Sequence, residues 1–390
     1  MEPKIRFKGF EGEWKAPLFS EMVERISASG QAGMLPGVEF EDIASGEGCF
    51  NKNIYQKECH KYGKLFYEGD ILFGKLRPYL KNIILANFNG VAIGDFWVLR
   101  SKGLDEKYLY TLVNSESFLK VANISSGSKM PRADWNLVST TKFVVPSAKD
   151  EQKAIGKYFT SLDSQISAST SRLASLKQMK AASLQAMFPQ EGETVPKIRF
   201  KGFEGEWKKV SFKDFTFHAG TKNRDNLPLE SYSISNEFGF IPQNEQFENG
   251  GTMTQADKRM YYIVSPNSFA YNPARINVGS LGYYEGKEDV IVSSLYEVFK
   301  TDDTICDKFL LYWFKTDIFQ KMIEQFQEGG VRLYFFYDKM CKCSLMRPPL
   351  AEQQAIASYF NSLDRQISLQ SQRLEKLKQI KSACLDKMFV

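Results

Sequence analysis

The sequence predicts an α+β protein with two mixed α/β domains and two long helices that pair in a coiled coil. Its 390 residues are more than one hydrophobic core usually serves. Its composition, 43% hydrophobic and 25% charged, is typical of a folded chain. The third observation is an internal duplication. We therefore expect a first domain over 1–150, a helix over 151–188, a second domain over 189–350 and a second helix over 351–390.

The duplication involves two separate segments. Residues 3–15 recur letter for letter as residues 196–208. Residues 151–188 align without a gap with residues 352–389, and 22 of the 38 positions are identical. The blocks between these segments are not obviously alike. The chain thus consists of a shared start, a variable block and a shared helix, and then the same three again.

Each shared helix has apolar residues at alternating steps of four and three, which is typical of a coiled-coil seam. The predicted seam residues are Ile155, Phe159, Leu162, Ile166, Leu173, Leu176 and Met187 in the first helix, and Ile356, Phe360, Leu363, Ile367, Leu374, Leu377 and Met388 in the second. Such a helix would extend ~57 Å at 1.5 Å per residue. Each helix packing only on its own domain is the alternative, but two near-copies of one stripe favour pairing.

The variable blocks alternate strand-like and helix-like segments. In the first block we expect strands at Phe66–Lys75, Asn82–Ala86, Val91–Arg100 and Thr140–Val145, and a helix at Asp105–Val121. In the second block we expect strands at Tyr261–Val264, Val290–Val298 and Cys341–Met346, and a helix at Cys306–Phe326. Both helices precede a glycine turn with a basic residue, Lys129 or Arg332.

Composition and known motifs give little sign of catalysis. The segment Gly69–Lys75 has the glycine and lysine spacing of a phosphate loop, but Leu76 stands where a magnesium-binding hydroxyl is needed. Tyr271-Asn272-Pro273-Ala274 lacks the second proline of the Asn-Pro-Pro-aromatic methyltransferase motif. The two histidines and the Cys341-x-Cys343 pair, expected in a strand, offer no usable metal spacing. We therefore expect no catalytic residue and no metal site.

Charge and cysteine content restrict the setting of the protein. A net charge of +5 is too mild to identify a nucleic-acid partner. Six cysteines without an apolar signal region suggest reduced thiols, and no segment is apolar enough to span a bilayer. We expect a cytoplasmic protein with no membrane contact.

The remaining polar residues favour binding, and they cluster at the same two junctions of each block: after a central strand and after the helix. They are Lys75, Arg77, Tyr79, Lys81, Lys129 and Arg132 in the first block, and Tyr271, Asn272, Arg275, Asn277, Arg332 and Tyr334 in the second. Arginine and lysine can bind guanine, asparagine can pair with adenine, and tyrosine can contact phosphate or stack. For any single residue, ordinary solvation of a loop is an equal alternative.

The whole chain resembles the specificity subunit of a type I restriction–modification enzyme. The motifs that carry the resemblance are the segment Lys4-Ile5-Arg6-Phe7 to Trp14 with its copy, Gly69-Asp70-Ile71-Leu72-Phe73, and the helices that begin Glu-Gln-x-Ala-Ile. The second block departs from it, with Asn267-Ser268-Phe269-Ala270 in place of the glycine motif.

The resemblance implies two target-recognition domains, each reading one half of a split site in double-stranded DNA. The shared helices would form an antiparallel coil that holds the domains apart. Two methyltransferase subunits would dock on the chain, and restriction subunits would join them. S-adenosylmethionine, ATP and magnesium would belong to those partners, and this chain would bind no cofactor.

Two other classes remain open. The chief alternative is a non-catalytic coiled-coil scaffold whose two α/β domains bind proteins, which the mild net charge allows. An enzyme with an unrecognised site has the least support, because the repeats and helices explain the chain without one.

Overall fold

The computed structural model describes residues 3–33, 35–57, 59–124, 130–246 and 257–389. The chain forms two compact units. Unit 1 consists of Met1–Leu173 and Leu369–Val390, and unit 2 of Ala174–Ser368. Each long helix is therefore divided between the units. The boundaries predicted from sequence divide the chain into four consecutive segments. The observed units differ, because each combines one variable block with parts of both long helices.

The described residues of unit 1 form ten short strands and four short helices besides the long ones. The strands are β1 (Val23–Ile26), β2 (Ser29–Gln31), β3 (Gly37–Val38), β4 (Ile43–Ala44), β5 (Cys49–Phe50), β6 (Tyr62–Phe66), β7 (Ile71–Gly74), β8 (Ile83–Leu85), β9 (Gly90–Ala92) and β10 (Phe96–Ser101). The helices are α1 (Phe19–Met22), α2 (Glu106–Asn114), α3 (Glu116–Ala122) and α4 (Trp135–Thr140), and the first long helix is α5 (Lys149–Ala186).

Unit 2 repeats this plan. Its strands are β11 (Lys208–Ser211), β12 (Thr216–His218), β13 (Thr221–Lys222), β14 (Ser231–Ser235), β15 (Gly239–Pro242), β16 (Tyr262–Val264), β17 (Ser268–Tyr271), β18 (Leu281–Tyr284), β19 (Val290–Val292), β20 (Glu297–Thr301) and β21 (Ser344–Arg347). Its helices are α6 (Gln243–Gln246), α7 (Asp307–Trp313), α8 (Asp317–Phe326) and α9 (Tyr337–Met340), followed by the second long helix, α10 (Leu350–Met388).

The two units share one sheet topology despite their unlike sequences. In unit 1 a four-stranded antiparallel sheet has the order β1-β10-β7-β8, and a second sheet has the order β2-β6-β9-β3 with β3 parallel to β9. In unit 2 the corresponding orders are β12-β20-β17-β18 and β13-β16-β19-β14-β15, with β14 parallel to β19. The predicted α+β class with two repeated domains is confirmed.

Several predicted elements are wrong in extent because turns divide them. The predicted strand Phe66–Lys75 is two strands, separated by a turn in which Asp70 accepts the Tyr67 N–H and Gly69 has a φ of 89°. Val91–Arg100 breaks similarly near Gly94, whose φ is 93°. The predicted helix Asp105–Val121 divides at Ser115, whose hydroxyl accepts the N–H of Phe118 and caps α3.

The same corrections apply to unit 2 and to the ends of the blocks. Cys306–Phe326 divides into α7 and α8, and Val290–Val298 into β19 and β20. The strand predicted at Cys341–Met346 begins only at Ser344, so the Cys341-x-Cys343 pair precedes it in a turn. In place of the strand Thr140–Val145, the helix α4 reaches Thr140 and only isolated bridges follow.

The long helices pair antiparallel within each unit, as the resemblance implied. In unit 1, Lys381 forms a 2.6 Å ion pair with Asp163, and the Tyr158 hydroxyl lies 3.5 Å from the Cys384 sulfur. The residue numbers of the contacting partners fall along α10 as they rise along α5, which shows that the helices are antiparallel. Unit 2 repeats the arrangement with the corresponding residues, Lys180 with Asp364 and Ser183 with Tyr359.

The predicted seam residues are divided between two cores. Ile155, Phe159, Leu162 and Met388 belong to the core of unit 1, with Leu377 packed against it. Leu176, Met187, Ile356, Phe360 and Leu363 belong to the core of unit 2, with Ile367 packed against it. Ile166, Leu173 and Leu374 are half-buried. In each unit, parts of both helices pack on the domain as well as on each other.

The repeated start segment is fixed to the first turn of a long helix. Arg6 donates from Nε and Nη2 to the two carboxylate oxygens of Glu151, at 2.6 and 2.9 Å, and Trp14 donates to the same carboxylate at 3.3 Å. In unit 2, Arg199 holds Glu352 in the same way, at 2.7 and 2.8 Å. This hydrogen bonding raises the pKa of Arg199. The Glu of the Glu-Gln motif is thus an anchor for the start segment.

The Gln of the same motif fixes the variable block. Gln152 accepts the N–H of Asp105 at 2.9 Å and donates to the Pro146 carbonyl at 2.8 Å. Gln353 likewise accepts the N–H of Cys306 at 2.7 Å and donates to the Pro348 carbonyl at 2.9 Å. The long helix therefore holds the start of α2 or α7 in a fixed position.

Candidate nucleic-acid interface

The first cluster of predicted binding residues surrounds a 3₁₀ turn directly after the central strand β7. Arg77 precedes the turn Pro78–Leu80, and Lys81 follows it. Both have positive φ angles, 50° and 52°, which are uncommon for residues other than glycine. Arg77 and Lys81 are exposed, and the side chain of Tyr79 is 54% exposed. The strained backbone thus presents three polar side chains to solvent.

The second junction of unit 1 lies against this turn. The Lys75 carbonyl accepts the N–H of Ala133 at 2.8 Å, and the Pro131 carbonyl accepts the N–H of Arg77 at 2.8 Å. Asp95 joins the two junctions, because its carboxylate pairs with Lys75 at 3.3 Å and with Arg132 at 2.8 Å. Lys75 and Arg132 are therefore held in place, while Arg77 and Lys81 point into solvent. Lys129 lies outside the described residues.

Unit 2 builds its first junction in the same way. Asn267, before the central strand β17, has a φ of 61°, and Gly69 has a positive φ at the corresponding place before β7. Arg275 stands eight residues after Asn267, as Arg77 does after Gly69, and precedes the 3₁₀ turn Ile276–Val278. Arg275 and Asn277 are exposed.

The second junction of unit 2 also meets the first. The Pro273 carbonyl accepts the N–H of Phe335 at 3.0 Å, which matches the bond between Lys75 and Ala133. Arg332 is exposed, whereas Tyr334 is half-buried and stacks on Phe336 at 5.4 Å. Arg332 and Arg275 thus belong to two loops that are joined through their main chains.

Two of the predicted binding residues of unit 2, Tyr271 and Asn272, have structural roles in the fold. Tyr271 was expected in a loop, which is wrong: it is the last residue of β17 and its side chain is 0% exposed, packed near Phe299 and Phe335. Burial raises its pKa well above the usual value. Asn272 uses its side-chain oxygen to accept the N–H of Ala274 at 3.0 Å, so it shapes the turn before Arg275.

The departure of the second block from the glycine motif has a clear structural counterpart. In unit 1, Asp70 is buried and accepts two hydrogen bonds from Arg100, at 2.7 and 2.6 Å, which raises the pKa of Arg100. In unit 2 the matching pair is Ser268, also buried, and Lys300. The strand keeps its place in the sheet although the ion pair is replaced.

Within the described part of the chain, no three His, Cys, Asp or Glu residues are grouped to hold a metal ion. The Gly69–Lys75 segment forms a turn and the strand β7, and its lysine is paired with Asp95. His218 lies 3.4 Å from Glu297 on the surface of the first sheet of unit 2. No helix among the described residues is long and apolar enough to cross a membrane.

Sequence reasoning missed Asp95 and two hairpin tips that lie beside these turns. Asp95 occupies the turn between β9 and β10 and carries no recognisable motif. The tip between β4 and β5 donates the Gly46 N–H to the Lys81 carbonyl at 3.2 Å. In unit 2 the tip between β14 and β15 lies next to the turn after Arg275, because a Cβ atom added at Gly279 would lie 3.5 Å from the Cβ of Asn236. A Ser-x-Glu pattern, Ser45 to Glu47 and Ser235 to Glu237, is common to both tips and could have indicated them.

The two units share a repeated fold, and each carries one cluster of exposed basic and polar side chains at its paired loops. Residues 205–379 match the family model of the type I restriction modification DNA specificity domain.

Two curated relatives and one solved structure are similar to the chain. The EcoDI specificity subunit of Escherichia coli is 24% identical over 120 residues, which is 29% of this chain and 27% of that protein. The MjaVIII specificity subunit of Methanocaldococcus jannaschii is 21% identical over 310 residues, 74% of this chain and 70% of that protein. The type I S subunit from M. genitalium matches in fold with a TM-score of 0.60 and 14% identity, over 100% of this chain and 99% of that one.

These comparisons agree with one another. Residues 205–379 match the type I specificity domain, and the chain is similar to type I restriction–modification specificity subunits.

Proposed function

We propose that this chain is the DNA-recognition subunit of a type I restriction–modification complex and reads a bipartite, asymmetric target in double-stranded DNA. The observation that carries the proposal is the equivalence of Arg77 and Arg275. Each follows the central strand of its unit, stands before a 3₁₀ turn and is exposed. Arginine is the side chain most often used to read guanine in the major groove.

The two loop clusters differ in chemistry, which supports an asymmetric target. The first exposes Arg77, Tyr79 and Lys81, whereas the second exposes Arg275 and Asn277. Asparagine can pair with adenine through two hydrogen bonds, and lysine binds phosphate or guanine. The half-site read by unit 1 therefore differs from the one read by unit 2.

The long helices support a second part of the proposal, namely that the bases between the half-sites go unread. Helices of 38 and 39 residues, each contributing to both units, would set the separation of the two reading domains. Deleting seven residues from one helix alone should abolish methylation by the complex. After the deletion, the residues that form ion pairs between the two helices would no longer lie opposite each other. Unchanged recognition with unchanged spacing would refute this role.

We infer that the chain itself catalyses no reaction. Two methyltransferase subunits would bind to it and carry S-adenosylmethionine, and restriction subunits with ATP and Mg²⁺ would join them. The helix faces that do not pack on either domain are available for such contacts. This division of labour accounts for a chain built of loops, sheets and paired helices.

Methylation profiling tests the proposal. The chain is produced in a host with its cognate methyltransferase subunit, and methylated positions are mapped over the genome. We expect methylation in one split, non-palindromic sequence. Methylation that needs no sequence, or that continues unchanged without this chain, would contradict the proposal and favour a protein-binding scaffold.

A further inference from the structure

The tip of the hairpin β14–β15 in unit 2 is held rigidly. The Ser235 hydroxyl accepts the N–H groups of Glu237 at 3.2 Å and Phe238 at 2.9 Å. Gly239 closes the turn with a φ of 68°, a conformation that glycine adopts without strain. The geometry of the three tip residues, Asn236, Glu237 and Phe238, is therefore set before any ligand binds.

All three tip side chains are exposed to solvent. Phe238 is 71% exposed, more than Phe217 at 51% or Phe336 at 40%. A large apolar ring held in water by a rigid turn gains free energy when an apolar partner covers it. The tip thus has the character of a contact surface.

The tip lies beside the candidate DNA-contacting turn. The Ser280 hydroxyl, just after that turn, donates to the Ile234 carbonyl of β14 at 2.8 Å. A Cβ atom added at Gly279 would lie 3.5 Å from the Cβ of Asn236. A ligand that contacts Arg275 can therefore reach the hairpin as well.

The chemistry of the tip suits base edges rather than phosphates. Asparagine binds adenine N6 and N7, glutamate accepts from cytosine N4, and an apolar side chain contacts the thymine methyl group. None of these three residues is a cation, so the tip has no means of binding phosphate by charge. A two-stranded ribbon is also narrow enough to enter the major groove.

Lysine side chains also lie close to the tip. The tip borders a cavity of about 610 Å³ that is also lined by Lys180, Lys308 and Lys315. Lys180 pairs with Asp364 and Lys308 with Glu285. These ion pairs neutralise both lysines, and burial lowers the pKa of Lys315, so the cavity adds little positive charge beside the tip.

Unit 1 carries a matching hairpin with a different tip. Between β4 and β5 the sequence is Ser45-Gly46-Glu47-Gly48, so Glu47 is its only long side chain. It lies against the turn of Arg77, since the Gly46 N–H binds the Lys81 carbonyl. The same position of the fold thus carries an asparagine and a phenylalanine in unit 2 and glycines in unit 1.

We propose that the hairpin tip Asn236–Phe238 is a second base-reading element of unit 2, which inserts into the major groove beside the Arg275 turn and specifies base pairs that Arg275 does not. This inference rests on the proposed function and names specificity-determining residues for it.

The test compares Phe238→Ala and Glu237→Gln with wild type by methylation profiling of the chain produced with its methyltransferase subunit. We expect Phe238→Ala to relax roughly 10-fold the discrimination at one position of one half-site. Glu237→Gln, which keeps the shape of the side chain, should change the preferred base at a neighbouring position, because glutamine pairs with adenine. The other half-site should stay as in wild type.

Phe217→Ala is the matched control, because Phe217 is an exposed phenylalanine on β12, at the opposite edge of the sheet from β18. It should keep wild-type specificity. If both tip variants keep wild-type specificity while Arg275→Ala relaxes one half-site, the tip inference is wrong and the proposed function stands. Loss of methyltransferase binding by Phe238→Ala would also overturn the inference. A wild-type complex without sequence preference would overturn the proposed function itself.

Discussion

Arg6 and Glu151 lie 145 positions apart in the sequence and are joined by two charge-assisted hydrogen bonds. The side chain of Glu151 is 1% exposed and that of Arg6 is 15% exposed. The pair recurs as Arg199 and Glu352, so both copies of the start segment are anchored to a long helix in the same way.

Removing one partner of this pair leaves a buried carboxylate without its counter-charge. We expect Arg6→Ala to lower the free energy of unfolding by about 3 kcal/mol. Urea unfolding followed by circular dichroism measures the loss. Lys8→Ala, an exposed lysine of the same segment, is the control and should change stability by less than about 0.5 kcal/mol. Equal stability of the two variants would show that the pair does not anchor the segment.

Arg77 and Arg275 should act on separate halves of the target. We expect Arg77→Ala to weaken base discrimination in one half-site and Arg275→Ala to weaken it in the other. Each substitution should reduce the free-energy difference between the correct and a wrong base by about 1–3 kcal/mol. Methylation profiling of both variants gives the answer directly. Relaxation of both half-sites by one substitution, or of neither by both, would count against the assignment.

Lys81 allows a test that separates stability from binding. Its φ of 52° is strained for lysine, and the matching residue of unit 2 is Gly279, with a φ of 89°. We expect Lys81→Gly to raise the free energy of unfolding by about 0.5–1 kcal/mol. If Lys81 contacts phosphate, the same variant should weaken DNA binding. The slope of the logarithm of the DNA-binding constant against the logarithm of salt concentration should then decrease in magnitude by about one. Tighter or unchanged DNA binding would exclude the phosphate contact.

The ion pair between Lys381 and Asp163 tests the pairing of the long helices. Asp163→Lys places two cations together at a partly buried site, so it should destabilise the protein by about 1–2 kcal/mol. Exchanging both charges, Asp163→Lys with Lys381→Asp, should restore most of the loss. Thermal unfolding of the two single variants and the double variant measures the coupling. Additive losses in the double variant would show that these side chains do not interact.

Asp42 makes part of the stability of unit 1 dependent on pH. Burial alone would raise the pKa of Asp42, but hydrogen bonds from Lys52, the Glu39 N–H and Lys57 lower the pKa on balance. A lowered pKa in the folded state stabilises the fold above the ordinary carboxylate range, about pH 4, and this stabilisation is lost as pH falls through the lower value.

Lys57→Met tests that pH dependence. It removes a cation from Asp42, so the variant should be less stable at pH 7 by about 1 kcal/mol and should lose less stability than wild type on acidification to pH 3. Urea unfolding at both pH values makes the comparison. A parallel pH dependence in the two proteins would contradict the role of Asp42.

The duplication made the repeated α+β fold and the long helices predictable, because letter-for-letter repeats and seven-residue periodicity need no knowledge of tertiary contacts. The extents of the strands were not predictable in the same way. The strand-like segment from Phe66 to Lys75 contains a turn at Asp70, whose carboxylate is bound by Arg100 thirty positions later. Arg77 was predicted from its residue type and its place after a strand and is exposed, whereas Tyr271, with the same signal, is in the core. Burial depends on which face of the sheet a residue occupies, and periodicity over so short a strand does not fix it.

Gln152 and Gln353 meet the variable blocks only through main-chain atoms: the N–H groups of Asp105 and Cys306 and the carbonyls of Pro146, Pro348 and Thr304. These joints therefore impose no requirement on the side chains at those positions. The blocks are free to diverge in sequence, or to be exchanged for others of the same topology, without loss of the joint. If the proposed function holds, such a protein would acquire a new target by changing one block while the other continues to work.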